Sequence, residues 1–139
     1  MIDIELFVVP AGEDDEFLAA WREEPRAAVL YRALREDVEF RFAAIGEGGV
    51  PDTAAGCVLI EPFDIPEGED EHFLAAWERG REALADRRGY LGTRLLHPDG
   101  DFRFVGVTSW SSPLMHFRAS REVEPLPFRS SPALYQPVV

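Results

Sequence analysis

The chain has 139 residues, of which 46% are hydrophobic and 29% charged, a composition typical of a folded globular domain. A formal net charge of −12 would repel phosphate backbones and anionic lipid, so the charge argues against nucleic-acid and membrane-surface partners. All 14 basic residues are arginine. The absence of lysine excludes Schiff-base chemistry and a Walker phosphate loop, because both need a lysine amine.

The cysteine and histidine content bears on location and on metal chemistry. The single cysteine, Cys57, has no intrachain partner, so a reducing, cytoplasmic location is the default expectation. His72, His97 and His116 show none of the short spacings of a zinc site, and we expect no metal centre. The first residues carry neither the basic start of a signal peptide nor a long apolar run.

An internal repeat organises the chain. Residues 4–14 are similar to residues 60–70, and Phe-Leu-Ala-Ala-Trp occurs identically at 17–21 and 73–77. We interpret the chain as a duplicated unit, with a first, truncated domain over residues 1–50 and a second, full domain over residues 51–139. A segment rich in glycine, proline and aspartate joins them around residues 46–56.

Each unit begins with a predicted strand, at residues 2–9 and 57–65, that ends at Pro-x-Gly before acidic residues open a helix. Pro25 shortens the first helix. Arg87 and Arg88 suit the end of the second helix, and Gly89 is a natural stop. The second helix has one apolar stripe, consisting of Phe73, Ala76, Trp77, Gly80 and Leu84.

Two further strands, at residues 90–96 and 102–109, flank a predicted turn. Ser112 and Pro113 then predict the start of a short helix over residues 114–120, and the tail predicts a last strand with an extended arm. The first unit has no counterpart of this helix and last strand. We therefore predict an α+β, ferredoxin-like fold in which a βαββ unit with antiparallel strands precedes a βαββαβ unit.

Four segments of the second unit carry a family resemblance. Phe-Asp-Ile-Pro-Glu-Gly at 63–68, Phe-Leu-Ala-Ala-Trp, Gly-Tyr-Leu-Gly-Thr-Arg-Leu at 89–95 and Val-Thr-Ser-Trp-Ser-Ser at 107–112 resemble an antibiotic biosynthesis monooxygenase (ABM) domain. The resemblance covers about residues 57–120, with a weaker copy over residues 2–45. It implies a dimeric α/β barrel with a pocket between each sheet and its helices. Here one chain is expected to supply both halves of that barrel, and we also expect a homodimer.

The resemblance implies cofactor-free oxygenation of aromatic polyketides such as anthrones, haem cleavage, or no established activity. Haem-degrading members carry an asparagine, a tryptophan and a histidine where this chain has Glu61, Ala119 and about Arg129. We therefore expect a monooxygenase that uses no cofactor and acts on a small aromatic molecule by proton abstraction and direct reaction with O₂. A cyclase without oxygen chemistry, and a non-catalytic ligand- or haem-binding barrel, stay open as alternatives.

Glu61, His116 and Arg94 are the predicted catalytic residues. Strand alternation places Glu61 between apolar neighbours, where desolvation would raise its pKa and suit it to proton abstraction. The alternative is a structural ion pair with Arg94, repeated as Glu5 with Arg32 in the first unit. His116 is either a general base near neutral pH or a surface histidine. Arg94 would otherwise stabilise a developing oxyanion.

An aromatic wall is predicted to clamp a planar substrate and consists of Tyr90, Phe104, Trp110 and Phe63. Trp110 is alternatively a structural corner at the end of its strand. Trp21 and Trp77 share helical stripes with phenylalanines and are expected in the core. His72 and His97 are expected in solvent.

Overall fold

The computed structural model describes residues 3–24, 26–46, 48–52, 54–98 and 104–138. These residues form three helices and eight strands in the predicted α+β pattern. They are β1 Ile4–Phe7, α1 Asp14–Glu23, β2 Ala28–Ala33, β3 Phe42–Gly46, β4 Cys57–Asp64, α2 Asp70–Leu84, β5 Tyr90–Leu96, β6 Val105–Trp110, α3 Pro113–Glu122, β7 Arg129–Ser130 and β8 Ala133–Pro137.

The strands form one antiparallel sheet in the order β1-β3-β2-β8-β4-β6-β5, and the short β7 pairs with the end of β4. The two halves share a plan. The three strands of each half lie in the spatial orders β1-β3-β2 and β4-β6-β5, and in each half a helix follows the first strand along the chain. β8 lies between β2 and β4 and joins the halves. The ferredoxin-like α+β fold is confirmed. The gene duplication, the boundary near residue 50 and the homodimer stay predictions.

The sheet curls until its first strand returns to the far end of β5. The Asp3 backbone N–H donates to the His97 carbonyl at 2.9 Å, and Ile4 forms a bridge to Pro98. Seven of the strands contribute side chains to a core inside the curve, which consists of Ile4, Tyr31, Ala33, Ala43, Ile45, Val58, Ile60, Leu96, Val105, Val107 and Tyr135. Strand alternation turns the remaining side chains to the outer face, where the helices cover them.

Each helix covers its own part of the outer face. α1 packs through Leu18 against Leu30 and Phe42 of the first half. α2 packs through Phe73 against Phe63, with Phe104 beside them. α3 packs through Ala119 and Met115 against Cys57 and Trp110. The second half therefore carries two helices on its outer face and the first half carries one.

The observed element ends differ from the predicted ones at a few places. α2 ends at Leu84 rather than near Arg88, and Gly89 lies in the bend before β5 with φ +84°. A Cβ at Gly89 would lie 2.4 Å from Met115 Cγ, so this bend has no room for a side chain. β1 ends at Phe7, two residues early, and β6 extends to Trp110. Pro25, the turn at 99–101 and the predicted start of β6 at 102 lie outside the described residues.

The start of α3 agrees with its sequence signals. Pro113 is its first residue, and the Ser112 side chain accepts a hydrogen bond from the Met115 backbone N–H at 3.4 Å. This N-cap satisfies one of the free amide groups of the first helical turn. The predicted cap is thus confirmed.

The Trp77 ring of α2 lies directly against the sheet at Gly106. A Cβ there would lie 2.5 Å from Trp77 Cη2 and 3.3 Å from Phe63 Cε2. Gly46, at the end of β3, has space instead, because its nearest neighbour would be the Asp3 carbonyl oxygen at 3.8 Å.

We expect Gly106→Ala to lower the free energy of unfolding by about 1–3 kcal/mol, because the added methyl group must displace the Trp77 ring. Gly46→Ala is the matched control and should change stability by no more than about 1 kcal/mol. Urea unfolding followed by fluorescence measures both. Equal effects of the two substitutions would contradict the close contact between Gly106 and Trp77.

Candidate active site

A cavity of about 290 Å³ lies on the outer face of the second half, between the sheet and helices α2 and α3. The strands form its floor, the helices its sides, and the segment after α3 closes one end. Its lining consists of Leu59, Glu61, Trp77, Gly80, Arg81, Leu84, Thr93, Thr108, Trp110, His116, Ser120, Val123, Glu124, Pro125, Leu126 and Pro132.

Small side chains leave this space open. α2 is held against the sheet near its start by Phe73, whose ring centroid lies 4.8 Å from that of Phe63 and 5.4 Å from that of Phe104. About two turns further along the helix, Gly80 lines the cavity and has no side chain to fill it. Thr93 and Thr108, neighbours on β5 and β6, supply short side chains to the floor. The same stripe of α2 thus fills the core at one end and borders the cavity at the other.

Glu61 is the acidic group on the floor. Ser130 Oγ, from β7, donates a hydrogen bond to Glu61 Oε2 at 2.7 Å. Burial raises the pKa of Glu61, and the Ser130 hydrogen bond opposes this shift only in part. Serine carries no charge to balance the carboxylate. The observed arrangement therefore does not contain the predicted ion pair with Arg94.

Arg94 lies on the opposite face of the sheet from Glu61, and its side chain is exposed. It pairs with Val107, whose side chain points into the inner core. The cause is a β-bulge between Tyr90 and Gly92, which shifts the alternation by one residue. Thr93, rather than Arg94, consequently shares a face with Tyr90. Arg94 was predicted to act at the same site as Glu61, and the structure places it on the other face of the sheet instead.

His116, on α3, forms part of the cavity wall rather than lying free on the surface. Its ring centroid is 5.8 Å from that of Trp110, in an edge-on arrangement, and 5.4 Å from that of Phe117. Burial lowers the pKa of His116 because the charged imidazolium is less well solvated. The imidazole is therefore neutral at pH 7 and can accept a proton or a hydrogen bond.

A short series of hydroxyl groups crosses the floor. Tyr90 Oη donates to Thr93 Oγ1 at 2.6 Å, and Thr93 Oγ1 lies 3.4 Å from Thr108 Oγ1, a longer and weaker contact. Because Thr93 accepts from the phenol, its own proton is directed at Thr108. Thr108 itself is only 5% exposed, and its side chain lines the cavity floor, where a hydroxyl can donate to a bound group.

Only Trp110 of the four predicted substrate-binding aromatics lines the cavity. Tyr90 packs behind it, with ring centroids 5.8 Å apart, while Phe63 and Phe104 belong to the core under α2. Trp77 was expected to serve packing alone, but it both packs against Phe63 and lines the cavity.

Sequence reasoning missed most of the groups at this site, and three of them show why. Alternation along β6 from Trp110 would have placed Thr108 on the same face. Ser130 reaches Glu61 from a two-residue strand that has no periodic signal of its own. Leu126 lies in the segment after α3, which only the tertiary fold brings to the cavity. His72 and His97 are exposed as predicted, and their rings also contact Phe128 and Phe104.

The equivalent face of the first half has an aromatic cluster like the one that holds α2 near its start. The ring centroids of Phe17 and Phe42 are 4.5 Å apart and those of Phe17 and Phe7 5.1 Å apart. Glu5, the counterpart of Glu61, accepts a hydrogen bond from Arg26 at 2.8 Å, not from Arg32 as predicted. The Arg26 guanidinium in turn lies 5.1 Å above the Trp21 ring. The two equivalent glutamates thus differ in their partners, because Glu5 has a cation and Glu61 has a neutral hydroxyl.

In the part of the chain that the structure describes, no group of three or more His, Cys, Asp or Glu side chains is placed to hold a metal ion. No helix there has the length and apolar character needed to cross a membrane.

The fold is the α+β fold of ABM-type proteins. Residues 56–123 match the family model for antibiotic biosynthesis monooxygenase, so the resemblance is confirmed and this segment is an ABM domain. The chain is similar to the crystal structure of a proposed monooxygenase from Shewanella loihica PV-4, with 27% identity, 60% of this chain and 93% of that chain covered, and a TM-score of 0.54.

A more distant likeness is to an MhuD variant with two manganese protoporphyrin IX molecules per active site. It shows 21% identity and a TM-score of 0.49 over 60% of this chain and 95% of that one. No protein of curated function matches the chain.

Because burial raises the pKa of Glu61, its carboxyl stabilises the folded state most below the ordinary glutamate pKa, and this contribution is lost as the pH rises through the folded-state pKa. Glutamine cannot ionise and can still accept from Ser130. We therefore expect Glu61→Gln to gain stability relative to the wild type between pH 4.5 and pH 8, as measured by urea unfolding at each pH.

Ser130→Ala is the companion variant. It removes the hydrogen bond that favours the charged carboxylate, so its stability should fall more steeply than that of the wild type over the same pH interval. Parallel pH profiles of wild type and Glu61→Gln would show that Glu61 is not desolvated.

Proposed function

We propose that the protein is a cofactor-independent monooxygenase that oxidises a small aromatic or polyketide-type substrate with O₂. The observation that carries this proposal is the desolvated carboxyl of Glu61 in a mainly apolar cavity, with neutral His116 in the same wall. Membership of residues 56–123 in the ABM family supports the reaction class. Titratable groups with perturbed pKa values in a cleft are the usual mark of acid–base sites.

Glu61 acts as the general base in this proposal. Burial raises the pKa of Glu61 and so reduces the difference from the higher pKa of a substrate C–H group that is flanked by a carbonyl or phenol ring. The proton moves to a Glu61 oxygen, and the electron pair is delocalised into the ring system. A hydroxyl donor placed at the resulting oxyanion lowers the barrier, and Thr108 takes the part that sequence analysis gave to Arg94.

The remaining steps balance without another reductant. The carbanion passes one electron to O₂, and the radical pair combines to form a C–O bond. Glu61 returns its proton to give a hydroperoxide, then removes the second C–H proton while the O–O bond breaks. The leaving hydroxide takes that proton and departs as water. A CH₂ group and O₂ are thereby converted into a carbonyl group and H₂O.

Trp77 and Trp110 provide aromatic surface for a planar ring, and the apolar lining excludes water from the carbanion. His116 accepts a hydrogen bond from a substrate hydroxyl, which fixes the ring relative to Glu61. This role needs the neutral imidazole, and burial of the ring favours that form.

The test is oxygen uptake by the purified protein with anthrone as substrate. We expect Glu61→Gln to lower kcat by about 100-fold or more, which is typical of loss of a general base. Glu5→Gln removes the equivalent carboxyl of the first half, which is held by Arg26, and should leave the rate unchanged.

Titration with haemin separates the proposal from its main alternative. A saturable Soret shift at one equivalent, together with no uptake of oxygen on anthrone, would replace the oxygenase with a haem-binding barrel. Turnover of a polyketide-type substrate without oxygen consumption would replace it with a cyclase.

A further inference from the structure

A second cavity, of about 490 Å³, lies beside the first, between α3, β8 and the segment of the first half that connects β2 to β3. Its lining consists of Leu34, Arg35, Asp37, Val38, Glu39, Phe40, Leu59, Pro113, His116, Phe117, Ser131, Pro132, Ala133, Leu134 and Tyr135. Nothing in the proposed chemistry uses this space.

The two cavities have common walls. Leu59, His116 and Pro132 line both of them. These shared residues form the boundary between the cavities, so a ligand held beside Glu61 would have to extend past the His116 ring to reach the second cavity. Leu59 contributes an apolar floor at this junction.

The wall supplied by the first half is fixed in place by several hydrogen bonds. The Arg41 guanidinium donates to the carbonyls of Ala33 and Arg35, the latter at 2.9 Å, and pairs with Asp14 at 3.1 Å. Tyr135 Oη donates to the Phe40 carbonyl. A wall held in this way has a defined shape before any ligand binds.

The character of the lining indicates what fits. Leu34, Val38 and Phe117 present apolar surface, and Arg35 is neutralised by Asp37 at 2.6 Å. Glu39 therefore gives the lining of the second cavity a net negative charge. The whole chain has a formal net charge of −12. An anionic group would be repelled there, whereas an uncharged apolar group would be accepted.

We propose that the second cavity is a binding subsite for an uncharged, apolar extension of the substrate, whose aromatic core lies beside Glu61. The first half of the chain thereby sets specificity for a reaction that the second half performs. This inference rests on the proposed function, because it takes the first cavity as the place where the reacting ring binds.

The test compares 2-naphthol with 6-hexyl-2-naphthol by isothermal titration calorimetry. The wild-type protein should bind the hexyl compound at least about tenfold more tightly, because the alkyl chain is removed from water in the second cavity. Leu34→Trp, which narrows that cavity, and Phe117→Ala, which removes one wall, should each abolish most of this preference and leave the affinity for 2-naphthol unchanged.

Leu91→Trp is the matched control, since Leu91 and Leu34 are 38% and 42% exposed and Leu91 lines neither cavity. It should retain the preference. Equal affinity of the wild type for both compounds, or a preference that survives both cavity variants, would overturn the subsite while leaving the first cavity intact. Failure of 2-naphthol itself to bind would count against the proposed function, and the subsite would fall with it.

Discussion

The site depends on one constraint, the burial of the Glu61 carboxyl without a cationic partner. A carboxylate that loses water needs an opposite charge, hydrogen bonds or a proton, and here the described residues supply only the Ser130 hydroxyl. The raised pKa follows directly. The surrounding structure maintains this condition, because β4 fixes the face on which Glu61 lies and α2 and α3 cover it. Gly80 on α2 and the short side chains of Thr93 and Thr108 on the floor leave space for a ligand.

Comparison of the two halves shows how the same plan supports different chemistry. Both present a glutamate at the same place on their first strand, below a helix with the same five-residue sequence. In the first half Arg26 pairs with Glu5. In the second half no described cation pairs with Glu61, and a cavity lies beyond an aromatic cluster that both halves have. The difference arises from the residues after the repeat, since α3, β7 and the closing segment belong to the second half only.

The sequence was sufficient for the parts of the fold that depend on local patterns. Three observed features depend only on neighbours in the chain. They are the apolar stripe on α2, the Ser112 cap, and the alternation that puts Glu61 and Leu59 on the same face of β4. The prediction put Arg94 on the wrong face of the sheet because one extra residue in β5 reverses the alternation of side chains. Apart from Gly92, the sequence gives no distinctive signal of this bulge. Ser130 could not be found because its contact with Glu61 spans 69 residues.

The central claim is that Glu61 is a desolvated acid with a raised pKa. A pH titration of protein labelled with ¹³C at the glutamate carboxyl carbon tests it most directly, with the Glu61 signal assigned by its absence from Glu61→Gln. The account predicts a midpoint clearly above the ordinary glutamate value of about 4.3. A midpoint at or below that value would mean that Glu61 is charged and well solvated at neutral pH, and it would contradict the account.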